Sequence, residues 1–386
     1  MRVLFTTWAW PSHLYAMVPL ARAFQAAGHE VLVASQPALR VEIGHCGLPA
    51  AVVGTDVDAV GMVRGYVLSS AGAQPRAGRG PRALQMLLAN AESMVDELAE
   101  LAARWRPDVL VFEPTALAGP IAAAAVGVPA VRHLYGTDLL LRARPLLPEL
   151  VAPLAARLGV APPDAFGVST IDPTPASLQV PGDYERLPMR YDPFNGPGAS
   201  AAPLPAADRP RVCVTWGHTM ARLAPEHFLV GGIAAALAGA GIQVVAAVAA
   251  AQRGLVGDVP DGVRIVVDAP LRQVVPHCDA VVAHGGAGTL LTTLRAGLPS
   301  LLVPQLPDHA GHAGRLLAAG AGEVLTRDEA TPERVVAEVG RLVTDGPHRA
   351  AARRLQAEMR AQPAPAEVVG ALRRLAARRS AFVADR

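Results

Sequence analysis

One stretch constrains the fold of this 386-residue chain more than any other: DAVVAHGGAGTLLTTLRAGLPSLLVP, residues 279–304. A buried apolar run ends at His284, glycines open a helix, and a second strand-like run follows, so the segment reads as a parallel strand–helix–strand step. Gly285, Gly286 and Gly288 let the backbone approach an anion closely. The first N–H groups of the helix add donors and a positive dipole end for a diphosphate. His284 and Thr289 supply side-chain donors at the same place. No Gly-Lys-Ser/Thr follows and the glycine spacing differs from the dinucleotide fingerprint, so neither a Walker loop nor that fingerprint is present. A tight strand–helix joint is the plainer use of such glycines. Against it stands PQLPDHAGH at 304–312, which brings Asp308 and His309 to the exposed end of the next strand.

The same alternation recurs through both halves. Arg2–Thr7 reads as a strand, Pro11–Ser12 as a turn, MVPLARAFQAAG as a helix stopped by Gly28, and EVLVAS as a second strand. DVLVFEP at 108–114 follows a helix marked by Leu98, Leu101 and Trp105, and GPIAAAAVGVPAVRHLYG continues the pattern. After NGPGASAAPLPAADRP (195–210), which has linker composition, PRVCVTWGHTM again sets a strand before a turn and a helix, much as MRVLFTTWAWPS does. The expectation is α/β: two Rossmann-like, doubly wound domains facing across a cleft, 1–194 and 211–386, with the last helix able to return to the first. Ligands of such sheets sit outside the carboxyl ends of the strands.

Composition narrows the function classes. A net charge of +2 and few aromatic residues argue against a nucleic-acid partner. Three widely spaced cysteines, at 46, 213 and 278, make neither a disulfide framework nor a zinc knuckle and read as reduced core thiols. The opening residues read as a strand rather than a signal peptide. Residues 228–251 carry no charge and are long enough to span a membrane, but Gly239 and Gly241 divide them into a helix and the strand IQVVAAV. The expectation is therefore a cytoplasmic protein, monomer or homodimer, with no membrane partner and no metal. AGAQPRAGRGPR at 71–82 reads as a loop, and Arg373, Arg374, Arg378 and Arg379 as a solvated helix face.

Taken in order, His13 in PSHLYAMVPLARAFQAAGHEV, the TWGHT turn, HGGAGT and LPDHAGHAGRL resemble the GT-B glycosyltransferases of the antibiotic natural-product group over almost the whole chain. Within that group the chain looks most like those that transfer deoxysugars to aromatic polyketides. The resemblance implies that His284, Gly285, Gly286, Gly288 and Thr289 hold the donor diphosphate, with Gly217, His218 and Thr219 closing the opposite side. His218 stands where relatives often carry Ser or Thr. Asp308 and His309 stand where an acid and commonly a Gln meet the sugar hydroxyls. The base is expected at Pro270 and Leu271 of DAPL, where Asp268 replaces the Trp of uridine-using relatives. Thr292 replaces a ribose-binding Glu, which favours a dTDP-deoxysugar as donor.

Inverting transfer to a hydroxyl needs a base, and an imidazole suits neutral pH. His13, at the turn after the first strand, is the candidate, with capping of that turn as the plainer role. Ser12 beside it is assigned to the acceptor. Glu113 of VFEP matches the Asp by which relatives orient the imidazole, against the alternative of a surface acid at a strand end. Asp138 of RHLYGTD is the second carboxylate candidate, a helix N-cap being the competing role. A GT-B sugar-nucleotide 2-epimerase and a non-catalytic auxiliary partner of a glycosyltransferase are the rival functions. An oxidoreductase is disfavoured because no GxGxxG follows either opening strand.

Overall fold

Short runs of Val, Leu, Ile and Ala between glycine- and proline-punctuated helices give strands that are buried on both faces, and the helical crossovers make them run parallel. The computed structural model describes residues 1–67, 82–198, 204–344 and 346–384. The loop expected at 71–82 lies outside these except for Arg82, as do residues 199–203 of the expected linker.

The chain divides into two compact units. Unit 1 comprises Met1–Pro173, Pro181–Asp192 and the chain from Gln362. Its strands are β1 (Arg2–Thr6), β2 (Glu30–Ser35), β3 (Ala50–Val52), β4 (Val109–Phe112), β5 (Ala130–His133), β6 (Ser169–Asp172) and β7 (Arg186–Pro188). They form one seven-stranded parallel sheet in the order β3-β2-β1-β4-β5-β6-β7. The terminal helix Pro365–Ala384 packs on the first helix, Pro11–Ala26, and carries Arg373 and Arg374 on its exposed side while Val368 and Leu372 are buried.

Unit 2 comprises Thr174–Val180 and Pro193–Ala361. The short segment 174–180 belongs there because Arg315 donates to the carbonyls of Leu178 and Gln179 at 2.8 and 2.7 Å. Its strands are β8 (Arg211–Thr215), β9 (Gln243–Val248), β10 (Val263–Val267), β11 (Ala280–Ala283), β12 (Ser300–Leu302) and β13 (Gly322–Val324). They make a six-stranded parallel sheet, β10-β9-β8-β11-β12-β13.

In each sheet the strand order reverses once, between β1 and β4 and between β8 and β11, and the connections there leave toward opposite sides. A crevice opens at such a point just beyond the carboxyl ends of the two strands. The register fixes what lies there. Thr6 pairs with Phe112, so Thr7 and Glu113 come next; Thr215 pairs with Ala283, so Trp216 and His284 come next.

One local reading changes and another stands. The first helix begins at Pro11 rather than after a turn, since Pro at the first helical position costs no hydrogen bond and has φ already set for the helix. His13 thus sits in the first turn of that helix. The uncharged run 228–251 is the helix Val230–Gly239 followed by β9, and no helix among the described residues is long and apolar enough to cross a membrane. Cys46, Cys213 and Cys278 are buried free thiols.

Candidate active site

In unit 1 the β1/β4 crevice brings His13 and Glu113 together. His13 Nδ1 lies 3.2 Å from Glu113 Oε2, and the Glu113 side chain has no solvent exposure, so it is not a surface acid. Burying a carboxylate is costly unless donors replace its water. Thr115 supplies them: its backbone N–H donates at 2.8 Å and its hydroxyl lies 2.7 Å from both carboxylate oxygens. The longer Glu side chain therefore reaches the imidazole in a site built to hold its charge. The His13 ring stacks on Tyr135, with centroids 4.2 Å apart, and receives the indole N–H of Trp8 at 3.0 Å on Nδ1. No side chain caps the helix that His13 enters, and Ser12 is exposed in the same turn.

Asp138 is engaged elsewhere. Its carboxylate lies 2.7 Å from the fully buried Arg132 guanidinium and accepts the Tyr184 hydroxyl at 2.5 Å. Arg132 in turn lies over the Phe166 ring at 3.4 Å. Both carboxylate oxygens of Asp138 thus face protein donors. It starts the turn Leu139–Leu146, but its side chain makes no cap hydrogen bond.

In unit 2 the β8/β11 crevice gathers the glycine turns around one ring. A β-carbon on Gly217 would stand 2.6 Å from His284 Cε1, and one on Gly286 2.6 Å from His284 Nε2. The imidazole thus fills the space that two missing side chains leave, and Gly217 also holds φ +60°, where glycine is favoured. Behind it, His312 donates from Nδ1 to the Gly285 carbonyl at 3.0 Å and the Gln252 amide donates to the Gly217 carbonyl. The helix Ala287–Arg295 starts at Gly286 with no side-chain cap, which leaves its first turn presented to an anion. Thr289 is half-buried in that turn, and His218 and Gly288 are exposed.

His309 corrects one expectation. Asp308 is exposed, but His309 is buried, its ring edge-to-face with His284 at 4.6 Å, because the helix Pro307–Ala318 turns it inward under the glycine loop. Burial lowers the proton affinity of His284 well below the ordinary imidazole value, of His312 below it, and of His309 to about 4. All three are neutral at pH 7. The buried Nδ1 of His284 has no protein partner, so the ring keeps hydrogen-bonding capacity in reserve.

In the DAPL segment, where the base is expected, Pro270 and Leu271 are buried and Asp268 adopts φ +52° while accepting the Ala250 N–H. Thr292 is buried and donates to the Gly288 carbonyl at 2.6 Å. Asn195 then joins two parts of the site: its amide donates to Thr292 Oγ1 at 2.9 Å and its carbonyl accepts the Arg272 N–H at 2.9 Å. Trp8, Thr115, Tyr135, Gln252, His312 and Asn195 were not singled out from sequence. Only the HAGH spacing that repeats a histidine three residues after His309 and the Thr two residues after Glu113 would have pointed to any of them.

Comparison with known proteins matches both parts of the chain. Residues 22–217 match the N-terminal domain of the erythromycin biosynthesis protein CIII-like family and residues 233–375 its C-terminal domain. The aklavinone 7-beta-L-rhodosaminyltransferase of Streptomyces galilaeus is 38% identical, over 99% of this chain and 97% of its own. The L-demethylnoviosyl transferase of Streptomyces niveus is 39% identical over 96% and 97%. Among solved structures, the glycosyltransferase VinC in complex with dTDP is 34% identical, covers 98% of this chain and 100% of its own, and superposes with a TM-score of 0.81.

Proposed function

Since the chain belongs to the erythromycin biosynthesis protein CIII-like family, and so to the nucleotide-sugar-dependent GT-B glycosyltransferases of antibiotic biosynthesis, we propose that it performs an inverting transfer. The donor is a dTDP-deoxysugar, the acceptor an aromatic polyketide-type hydroxyl, and His13 the base. The observation that carries this reading is the 3.2 Å approach of His13 Nδ1 to the buried Glu113 carboxylate. A carboxylate on one ring nitrogen stabilises the imidazolium that forms when the other takes a proton.

The step balances simply. The acceptor O–H gives its proton to His13, its oxygen attacks the anomeric carbon, and the bond from that carbon to the diphosphate oxygen breaks on the far side, which inverts the centre. The departing thymidine diphosphate carries the charge, and the uncapped helix start at Gly286 with His284 and Thr289 meets it. Asp308, exposed beside that turn, is assigned to the sugar hydroxyls.

Two observations support the finer assignments. Thr292 is already bonded to Gly288 and Asn195 and brings no carboxylate to a ribose 2′-hydroxyl, which favours the deoxyribose carrier, in keeping with the dTDP complex of VinC. Trp8 and Trp10 stack at 5.0 Å beside His13 and Tyr135, an aromatic surroundings suited to a flat apolar acceptor, as in the relative named for aklavinone. The test is product analysis. The protein is incubated with dTDP-deoxysugars and aromatic polyketide aglycones, and products are read by mass spectrometry and by the anomeric proton coupling. Retention of the donor configuration, or release of a 2-epimerised sugar nucleotide without glycoside, would overturn it.

A further inference from the structure

In each sheet the second strand ends beside the turn that follows the first, and a buried glutamine reaches from one to the other. In unit 1, Thr6 of β1 pairs with Ala34 of β2, so Gln36, two residues on, stands level with the turn Trp8–Trp10. Its Oε1 accepts the Ala9 N–H at 2.9 Å. Its Nε2 faces three acceptors: the Thr55 carbonyl at 3.1 Å, Asn90 Oδ1 at 3.0 Å and Ser93 Oγ at 2.9 Å. Those partners fix which end of the amide is which. Asn90 donates its own amide to the Met86 carbonyl and Ser93 its hydroxyl to the Asn90 carbonyl, and the reversed Gln36 amide would set N–H against N–H at Ala9. In unit 2, Val214 of β8 pairs with Ala246 of β9, which brings the turn after β9 level with Gly217. Gln252 closes that turn by accepting the Ala249 N–H at 2.9 Å, and its Nε2 donates to the Gly217 carbonyl. Gln36 is 1% exposed and Gln252 4%.

A backbone group withdrawn from water needs a partner, and past the ends of β1 and β8 no strand ladder supplies one. What the two turns carry gives these bonds their meaning. Ala9 lies between Trp8 and Trp10, whose rings stack at 5.0 Å. Trp8 stands edge-on to the His13 ring, and the Trp10 carbonyl accepts the His13 N–H at 3.1 Å. Gly217 lies so close over His284 that a β-carbon on it would stand 2.6 Å from Cε1. We propose that Gln36 and Gln252 are positioning residues: Gln36 holds the tryptophan turn against His13 for the acceptor, and Gln252 holds the Gly217 turn against His284 for the diphosphate. The proposal rests on the reading of these turns as acceptor and donor walls. Because Asn90 and Ser93 belong to the helix Arg82–Trp105, the tryptophan turn takes its place from that helix as well as from β1.

The test is a crossed pair of variants of the full-length protein. Gln36→Met and Gln252→Met keep the length of the side chain and remove its hydrogen bonds. Gln36→Met should lower kcat/KM for an aromatic polyketide aglycone by about fivefold or more, the worth of at least one hydrogen bond, and leave thymidine diphosphate affinity within about twofold. Gln252→Met should weaken thymidine diphosphate about fivefold and leave KM for the aglycone within about twofold. A merely structural role would lower the unfolding midpoint of each without this selectivity, so a variant that leaves its own readout unmoved, or moves both, overturns the proposal. Ala9 and Ala249 are half-buried, so slow hydrogen exchange of their amides requires the two glutamine bonds. Exchange at the unfolded rate at either amide in the wild type overturns the proposal even if a variant does not fold. Failure of the underlying reading shows separately, as full turnover in His13→Ala or unchanged thymidine diphosphate affinity in Gly286→Asp.

Discussion

His284 Nε2 lies 2.6 Å from the point where a β-carbon on Gly286 would stand. No side chain can be added there without moving the ring that the Gly217 turn also encloses. If the diphosphate rests on this turn, Gly286→Asp should weaken thymidine diphosphate at least about tenfold, by displacing His284 and by setting a negative charge at the helix start. Gly286→Ala should show a smaller loss from displacement alone. Calorimetry measures both, and unchanged affinity in Gly286→Asp removes the diphosphate from this helix.

Asn195 ties Thr292 to the Arg272 backbone and thereby joins the helix Ala287–Arg295 to the segment after DAPL. Asn195→Ala should weaken thymidine diphosphate about three- to tenfold, since two partners lose their hydrogen bond. In competition experiments the wild type should prefer thymidine over uridine diphosphate. Tighter binding of the uridine nucleotide would reverse the donor assignment.

Much of this was legible before any coordinates. Strands and helices could be read because Gly28, Gly239 and Gly241 punctuate runs of different period, and the switch-point residues followed from where those runs end. What could not be read depends on contacts between distant residues. Thr115 meets His13 across 102 positions and Asn195 meets Thr292 across 97, and neither has a local signature. Asn195 was hidden further by linker-like neighbours. His309 looked exposed because it follows a strand end, yet one helical turn is enough to carry it inward.

The Asp138–Arg132 pair is structural on its geometry, both side chains being wholly buried. Asp138→Asn strands a buried guanidinium and should cost about 3–5 kcal/mol of stability. Denaturant unfolding checks this. A stable Asp138→Asn protein with more than a hundredfold loss of turnover would instead make Asp138 the base.

Burial of His284, His309 and His312 fixes the sign of the acid response. Each binds a proton more readily unfolded, near 6.5, than folded, so stability is complete above 6.5 and falls as pH drops toward the folded values. His309, lowered to about 4, alone accounts for about 2 kcal/mol lost by pH 5. His133, buried in unit 1 and also lowered to about 4, adds a similar amount there. Unfolding free energies at pH 7.5 and 5 should differ accordingly, and His309→Gln should narrow the gap. An equal gap in that variant would show that His309 is not held neutral by burial.

The His13–Glu113 pair yields the most discriminating outcome, because the proposed base and the proposed donor site lie on separate sheets and can be read independently. Removing a general base costs about 10²–10⁴-fold in turnover. His13→Ala should therefore fall by that much while its affinity for thymidine diphosphate stays within about twofold, since every diphosphate contact argued above belongs to unit 2. Glu113→Gln keeps the shape but removes the charge that stabilises the imidazolium, so its loss should be smaller than that of His13→Ala, with donor binding again intact. Thr115→Val leaves the carboxylate without the hydroxyl at 2.7 Å and should cost about three- to tenfold, intermediate between wild type and Glu113→Gln. The ordering is the test. Steady-state rates with donor binding measured on the same preparations would give it, and near-normal turnover in His13→Ala would take the base role from His13 whatever the other two variants do.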